Sequence, residues 1–559
     1  MSNCGNGTDS PQVPMHGEAA ICPPATVWSL APASRAAWGW ILLAALPFSL
    51  IHAAHFAAPG LGTGFIHEDL PYYAANGREV FEGGNGFAYP NPYDPEPDSP
   101  VIYFHWLLWL FGVAIRFGVD PGLLFVVTAA LGAVLMSVMT WVLVGAALPR
   151  ASYRAPLFLF AMWGGGILCL TRMFANLTHQ EPVFSDLLAF DPGRGLWFLN
   201  WGRNMLFPTE SIYHVIVAAS WCCALTRRYW WSIFWAAILA ATHPWSGLEL
   251  LLTVVAFHSV RLVFIDGRRA ALHWLTAAGC LCAFLYYNLI WLNQFPQHRI
   301  LQQTWELAWR VPDRTVLLAW LPVCGIAVGR IVLDRQSRHR ETVLLLIAFA
   351  VAFSLSIHDR FMSAKQPLHF TRGYVWMPLA LLALPLLQDL LTRAQQHFSR
   401  SVFQSIVVIG LLVVSADNLI FIIEQSRSQM TPGGDGFQFA TADERDLLRR
   451  INEESLTGVA VASDEDLSYL LATYTPLTPY AGHQFNTPEF ETRRRHITAF
   501  FQGVPMHDVP WLNPVRFVIS TPQNPAFPGD ESPAGWEEVI RSGEWRLFGR
   551  LPSEQQDAR

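Results

Sequence analysis

Lysine is all but missing from this chain: Lys365 is the only one in 559 residues, and arginine carries the rest of the basic charge. Charged residues make up only 14% of the sequence, against roughly 25% in an average soluble domain. That deficit argues against an ordinary soluble fold. No basic stripe accompanies the net charge of −6, so nucleic acid is excluded as a partner. Neither a GxGxxG fingerprint nor a P-loop is present, which removes the usual nucleotide cradles. Of the cysteines, Cys4 and Cys22 lie in the N-terminal tail, and Cys169, Cys222, Cys223, Cys280, Cys282 and Cys324 lie in or beside apolar runs. No CxxC metal site and no disulfide framework follows from that spacing. Strict apolar–polar alternation is also missing, which excludes a membrane β-barrel.

What is abundant is apolar side chain: 52% of residues are hydrophobic and 13% aromatic. Stretches of about 17 to 25 apolar residues recur between short Arg-bearing punctuations, the length a helix needs to cross a hydrocarbon core. The expected fold is therefore an α-helical polytopic membrane protein with a small C-terminal soluble α/β domain. Residues 1–36, rich in Pro, Gly, Ser and Ala, read as a disordered tail. Arg35 and the following apolar run resemble a signal sequence, but the run is long and more follow, so it reads as an uncleaved first helix. Eleven spans are expected, near 37–57, 121–149, 155–171, 209–226, 229–243, 245–265, 271–293, 315–333, 342–358, 373–391 and 402–424. The aromatic segment 101–117 contains His105 and Arg116 and reads as interfacial or re-entrant. With that choice the densely basic short loops, such as those at Arg150, Arg227, Arg268 and Arg393, all fall on the cytoplasmic side. The polar segments long enough to build a site then share the other face: 59–120, 172–208, 294–314, 359–372 and the region from about 425.

The first of these segments contains GFIHEDLPYYAANGREVFEGG, in which His67, Glu68 and Asp69 precede a short helix bearing Tyr72, Tyr73, Arg78 and Glu79. Acidic residues are favourable at a helix N-terminus, so on residue statistics alone the pair reads as helix-opening. The stretch also resembles the first external loop of GT-C glycosyltransferases, multi-spanning enzymes that take a sugar from a polyprenyl-phosphate donor and include protein mannosyltransferases and aminoarabinose transferases. Their loop places an acidic pair after the first helix, then a Tyr, then an Arg nine residues past the catalytic Asp; Asp69, Tyr73 and Arg78 match that spacing. Glu68 precedes the matched Asp, whereas the family usually places its second acidic residue after it. The proline-led aromatic run SPVIYFHWLLWLFG is similar to the helix that follows in the family. The resemblance covers roughly residues 37–150.

The resemblance implies transfer of a sugar from a polyprenyl-phosphate-linked donor to a glycan, lipid or protein acceptor, with Asp69 as the general base. Glu68 then assists it, binds the acceptor, or holds a divalent metal such as Mg or Mn; no DxD or His cluster compels a metal. A departing phosphate needs fixed cations or donors. The segment HDRFMSAKQPLHFTRGY supplies Arg360, Lys365, His369 and Arg372 just before a membrane helix, and Arg372 is the first choice because its planar fork binds two oxygens. Anchoring to lipid headgroups explains the same four residues equally well. His243 stands at an external turn one helical turn before Glu249, an intramembrane carboxylate and hence a site candidate; a His243–Glu249 pair would instead be structural. Arg299, Arg172, Arg194 and Arg203 are candidates for lining a donor or acceptor groove, although each taken singly reads first as an ordinary surface Arg.

From residue 425 polarity rises. A helix at 442–452, a strand at 458–462, helices at 465–472 and about 488–502, and strands at 515–520 and 544–551 are expected. Membrane lipids are the expected surroundings, the bacterial inner membrane the expected location, and the C-terminal domain is placed on the periplasmic or extracellular side. The competing classes are a transporter or flippase, which would show midplane polar groups and internal repeats, an O-antigen polymerase or ligase, and an inactive GT-C scaffold.

Overall fold

The structure is a computed structural model that describes residues 31–58, 61–305, 307–333, 340–430, 436–503, 510–521, 523–527 and 535–551. Most of the tail expected at 1–36, with Cys4 and Cys22, lies outside the described residues.

The chain opens with α1 (Arg35–Phe56), then the short α2 (Asp69–Phe81), strands β1 (Ala88–Tyr89) and β2 (Tyr103–Phe104), and α3 (Trp106–Arg116). At 11 residues, α3 covers roughly 16 Å, too little to cross a bilayer. It crosses α2 where Gly77 faces Gly112, and a Cβ on Gly77 would stand 3.0 Å from the Gly112 nitrogen. α4 (Pro121–Ala147) follows, opened by Pro121 and by the Asp120 carboxylate, which accepts from the Leu123 N–H at 2.9 Å.

Next come α5 (Arg154–Trp163) and α6 (Leu168–Thr178), then α7 (Trp201–Asn204), α8 (Pro208–Leu225), α9 (Tyr229–Ala240), α10 (Pro244–Val260) and α11 (Ala271–Leu285). The bundle is completed by α12 (Pro296–Thr304), α13 (Asp313–Leu333), α14 (Arg340–Ser356), α15 (Trp376–His397), α16 (Arg400–Val414) and α17 (Ala416–Met430).

Among the described residues six helices are long and apolar enough to cross a membrane, and up to eight spans result if each of two bent pairs counts as one. The chain is an integral membrane protein. The run expected at 155–171 is one of those pairs, α5 and α6 bent by 62°, and the run at 402–424 is the other, α16 and α17 bent by 59°. The remaining three runs of the expected eleven correspond to α8, α9 and α14, helices of 18, 12 and 17 residues. Lipid contact is plainest along the segment Gly267–Gln294, where only 11% of the apolar window is buried. Outward Leu42, Leu43, Leu46 and Leu50 on α1 face the same medium.

The C-terminal region is an α/β unit. It contains α18 (Ala442–Glu453), β3 (Gly458–Ala462), α19 (Glu465–Tyr474), β4 (Leu477–Pro479), α20 (Phe490–Phe501), β5 (Val515–Ser520), β6 (Trp536–Ser542) and β7 (Trp545–Arg550). The sheet order is β4-β3-β5-β7-β6; β3 is parallel to both neighbours, and the β5–β7 and β6–β7 pairs are antiparallel. Two of these strands, β4 and β6, were not expected from the sequence. The unit docks on the first loop: Thr473 donates to the Pro71 carbonyl at 2.9 Å, Tyr93 to the Tyr469 carbonyl at 2.9 Å, and Asn91 to the Asn486 carbonyl at 2.6 Å.

Candidate active site

A cavity of about 640 Å³ opens where α2, the His243 turn, the 358–372 segment and the loop after β4 converge. Of the eleven site residues expected from sequence, seven line it: Glu68, Asp69, Tyr73, His243, Lys365, His369 and Arg372. These residues are up to 300 positions apart in the chain, so their convergence is a property of the fold.

Asp69 is the first residue of α2 and is partly accessible to the cavity. Its N–H donates to His67 Nδ1 at 3.2 Å, and its Oδ2 stands 3.6 Å from the same nitrogen. Its Oδ1 faces His483 Nε2 at 3.8 Å. Burial works against the carboxylate charge, but its interactions with His483, His67 and His369 outweigh it and hold the pKa down at about 2. Asp69 is therefore an anion at any physiological pH. Tyr72 and Tyr73, next along the helix, are pushed up by burial and by that anion; their phenols stay protonated and can donate.

Facing this anion is a buried cation. Arg372 is fully enclosed and pairs with Glu210, a residue of the first turn of α8. Its Nη2 donates to His369 Nδ1 at 2.6 Å, and its Nη1 stands 3.3 Å from His243 Nε2. Burial lowers the Arg372 pKa to about 10, with Asp69 among the groups that oppose the fall, so the guanidinium remains charged. Because His369 Nδ1 accepts from Arg372, its Nε2 carries the ring proton. That Nε2 and Arg372 Nε are both buried donors with no protein hydrogen-bond partner among the described residues. Buried donors are almost always satisfied, so the Arg372–His369 wall carries donor capacity that the described residues leave unused. Burial also pulls the His369 pKa down to about 4, which leaves the ring neutral.

The backbone that builds this wall is contorted. Gly193, Arg194, Gly195, Trp197 and Leu199 all have positive φ, a concentration that costs energy and collects at functional sites. The outcome is a slab of rings, with Trp197 stacked between Phe207 and Trp309 at 5.2 and 5.4 Å and His369 4.9 Å from Trp197. Gly373, at φ +76°, lets the Arg372 segment pass against Asn200 and Trp201, where a Cβ would sit 2.6 Å from backbone.

Four expected residues lie elsewhere. Arg78 does not line the cavity: its Nε reaches Glu82 at 2.6 Å, and it donates to the Thr473 carbonyl and to Asn452 Oδ1, tying α2 to the C-terminal unit. Glu249 is buried in α10 with no partner on Oε2 among the described residues, and the His243–Glu249 pair is not formed, since His243 turns to Ser246 and Arg372. Arg299 is exposed on α12, and its neighbour His298 faces the cavity instead. Arg360 points away to Asp313 at 2.6 Å. Of the weaker candidates, Arg203 is locked to Asp191 and Asn418, Arg172 pairs with Glu181, and Arg194 pairs with Asp186 on the surface.

Sequence reasoning missed Glu210 and Trp197, and it read His483, with Arg493, Arg494, Arg495 and His496, as part of a solvated face, whereas the His483 ring is buried. Glu210 carried a usable signal, a carboxylate in the first turn of an apolar helix. Trp197 carried none. Among the described residues no group of three or more His, Cys, Asp or Glu side chains is gathered so as to hold a metal ion.

No family model matches the chain, and no curated protein matches it. Among solved structures it is similar to the oligosaccharyltransferase of Archaeoglobus fulgidus, determined with a tethered acceptor peptide containing an NVT sequon. The identity is 12%, the alignment covers 86% of this chain and 69% of that chain, and the TM-score is 0.48.

Proposed function

We propose that this protein is a membrane glycosyltransferase that moves a sugar from a polyprenyl-phosphate donor to an acceptor hydroxyl on the non-cytoplasmic face. The observation that carries this reading is the single cavity in which a carboxylate, Asp69, faces a buried guanidinium, Arg372, flanked by unpartnered donors. Glycosyl transfer needs those two poles. The acceptor oxygen attacks the anomeric carbon, the bond from that carbon to the phosphate oxygen breaks, and its electron pair leaves with the lipid phosphate. Asp69 takes the hydroxyl proton as the oxygen attacks and passes it to water or to the departing phosphate. Arg372 and His369 receive the developing phosphate charge, which preorganised donors stabilise strongly in a site closed to water.

The remaining cavity residues follow from this assignment. Glu68, beside Asp69, serves the acceptor. Tyr73, His243 and Lys365 bound the space the sugar phosphate would occupy, and the aromatic slab at Trp197 offers an apolar face to a sugar ring. A second reading, transport of the same lipid-linked substrate, is favoured by the buried Glu249 carboxylate within α10, whose Oε2 has no hydrogen-bond partner among the described residues.

Asp69→Asn tests the choice. With purified protein and a polyprenyl-phosphate sugar, the transferase reading expects turnover to fall by about 100-fold or more while the protein stays folded and donor binding is retained. An Asp69→Asn protein that transfers sugar normally refutes the reading, and one that still translocates the lipid across vesicles supports the transporter.

A further inference from the structure

The geometry points to His483 as a positioning residue for Asp69: the C-terminal unit supplies a fixed N–H that holds the carboxylate toward the cavity, so the base is complete only when that unit is docked. This rests on the transferase reading and deepens it.

Three observations carry the inference. First, the His483 tautomer is set by its own loop. Nδ1 accepts the Phe485 N–H at 3.1 Å, so the ring proton sits on Nε2, the nitrogen 3.8 Å from Asp69 Oδ1. Second, the ring is boxed. It is completely buried, stacks on Tyr469 at 4.9 Å, and meets Tyr72 and Tyr93 edge-on at 5.2 and 5.8 Å. Inside that box Nε2 has no hydrogen-bond partner among the described residues, and Asp69 is the polar group it faces. Third, the loop that carries His483 is pinned to the membrane unit from both sides. Asn91 donates to the Asn486 carbonyl at 2.6 Å, and Trp305 Nε1 donates to the Phe485 carbonyl at 2.7 Å.

A buried donor normally finds an acceptor, and contacts of catalytic groups commonly tighten when substrate binds. The 3.8 Å separation is a contact of that kind. Burial holds the His483 pKa below its ordinary value, against the pull of Asp69; the ring is thus a neutral donor that orients the carboxylate and leaves its charge intact. A histidine placed merely to fill an aromatic box would not need its proton fixed toward the base.

The test uses the full chain in detergent, labelled with 15N-histidine, with the His483 ring signals identified by their loss in His483→Gln. Asp69→Asn is expected to move those signals and to lower the pH midpoint of the ring, because the anion that favours its protonation is gone. His483→Ala is expected to lower kcat by about 100-fold, the effect of a base displaced by roughly 1 Å, with the donor KM unchanged. His483→Gln, whose amide N–H reaches nearly the same place, is expected to recover most of that loss.

Ring signals that ignore Asp69→Asn overturn the inference whatever the activities are. So does a His483→Ala protein with native kcat, a loss confined to KM, or a loss that glutamine does not restore. An Asp69→Asn chain that transfers sugar as well as the native one overturns the transferase reading instead, and the ring signals then decide alone whether the His483–Asp69 pair exists.

Discussion

At the scale of single residues, the buried Arg372–Glu210 pair is where stability and chemistry can be told apart. Removing one member of a buried ion pair strands the other and costs about 3–5 kcal/mol, whereas replacing both by apolar groups is often neutral. Arg372→Met alone is therefore expected to lower the melting temperature sharply in detergent. Adding Glu210→Leu should restore most of the melting temperature but none of the transfer, because the phosphate-side cation is still missing. A double variant that regains activity would remove Arg372 from the site. Acid should weaken the fold as well. His369 has a folded pKa of about 4 against an ordinary 6.5, so between those values the unfolded chain binds more protons and stability declines as pH falls from about 6.5 toward 4. Asp69, with its depressed pKa, holds its share of stability above about 3.8 and loses it only as pH drops through about 2. A melting-temperature series from pH 8 to pH 4 is expected to decline mainly below 6.5, and a profile flat across that interval would contradict the burial of these rings. Since Asp69 stays ionised throughout, any acid limb in turnover belongs to the histidines.

At the scale of elements, the two bent pairs depend on each other. α6 begins inside the bundle, and its first amides have no helical partners; Asp417, one residue into α17, accepts from Cys169 N at 2.8 Å and Leu168 N at 3.2 Å. Thus the break in one pair is capped from the break in the other. Asp417→Ala is expected to cost about 1–2 kcal/mol, the range for a lost cap, and Asp417→Asn less because one acceptor oxygen remains; equal melting temperatures for the two variants would argue against the cap. The sequence suggested one continuous span at 402–424, since a charge inside an apolar run gives no hint of the bend that uses it. Much the same holds for α5 and α6, where Gly164–Gly166 interrupts an apolar pattern that reads as continuous. Gly373→Ala is a further check at this scale: with positive φ and backbone 2.6 Å from the added carbon, it should shift the Arg372 segment and reduce turnover and melting temperature together.

At the scale of the whole molecule, the membrane bundle and the C-terminal α/β unit share one site. Asp69 comes from α2 and Arg372 from the segment before α15, while Phe485 and Asn486 of the C-terminal unit close the same cavity. Arg78 belongs to this junction: with its contacts to Thr473 and Asn452 removed, Arg78→Ala is expected to loosen docking, seen as faster limited proteolysis between α17 and α18 and a partial loss of turnover. Proteolysis at the native rate would return Arg78 to the list of substrate ligands.

Composition and periodicity alone determined that the chain lies in a membrane as helices, that a polar α/β unit follows them, and that strands lie at 458–462 and 515–520, because burial of apolar surface in lipid or in a sheet writes its period directly into the sequence. The acidic first loop and the cationic segment before α15 were legible as separate clusters, each interpretable as ordinary surface. Tertiary structure alone decided that they face one another, that Arg78, Glu249, Arg299 and Arg360 stand apart from them, and that Glu210 and His483 stand among them. The physical reason is range: hydrophobic patterning acts over a helix turn or a strand, while the field between a carboxylate at 69, a guanidinium at 372 and an imidazole at 483 exists only after the chain has folded them together.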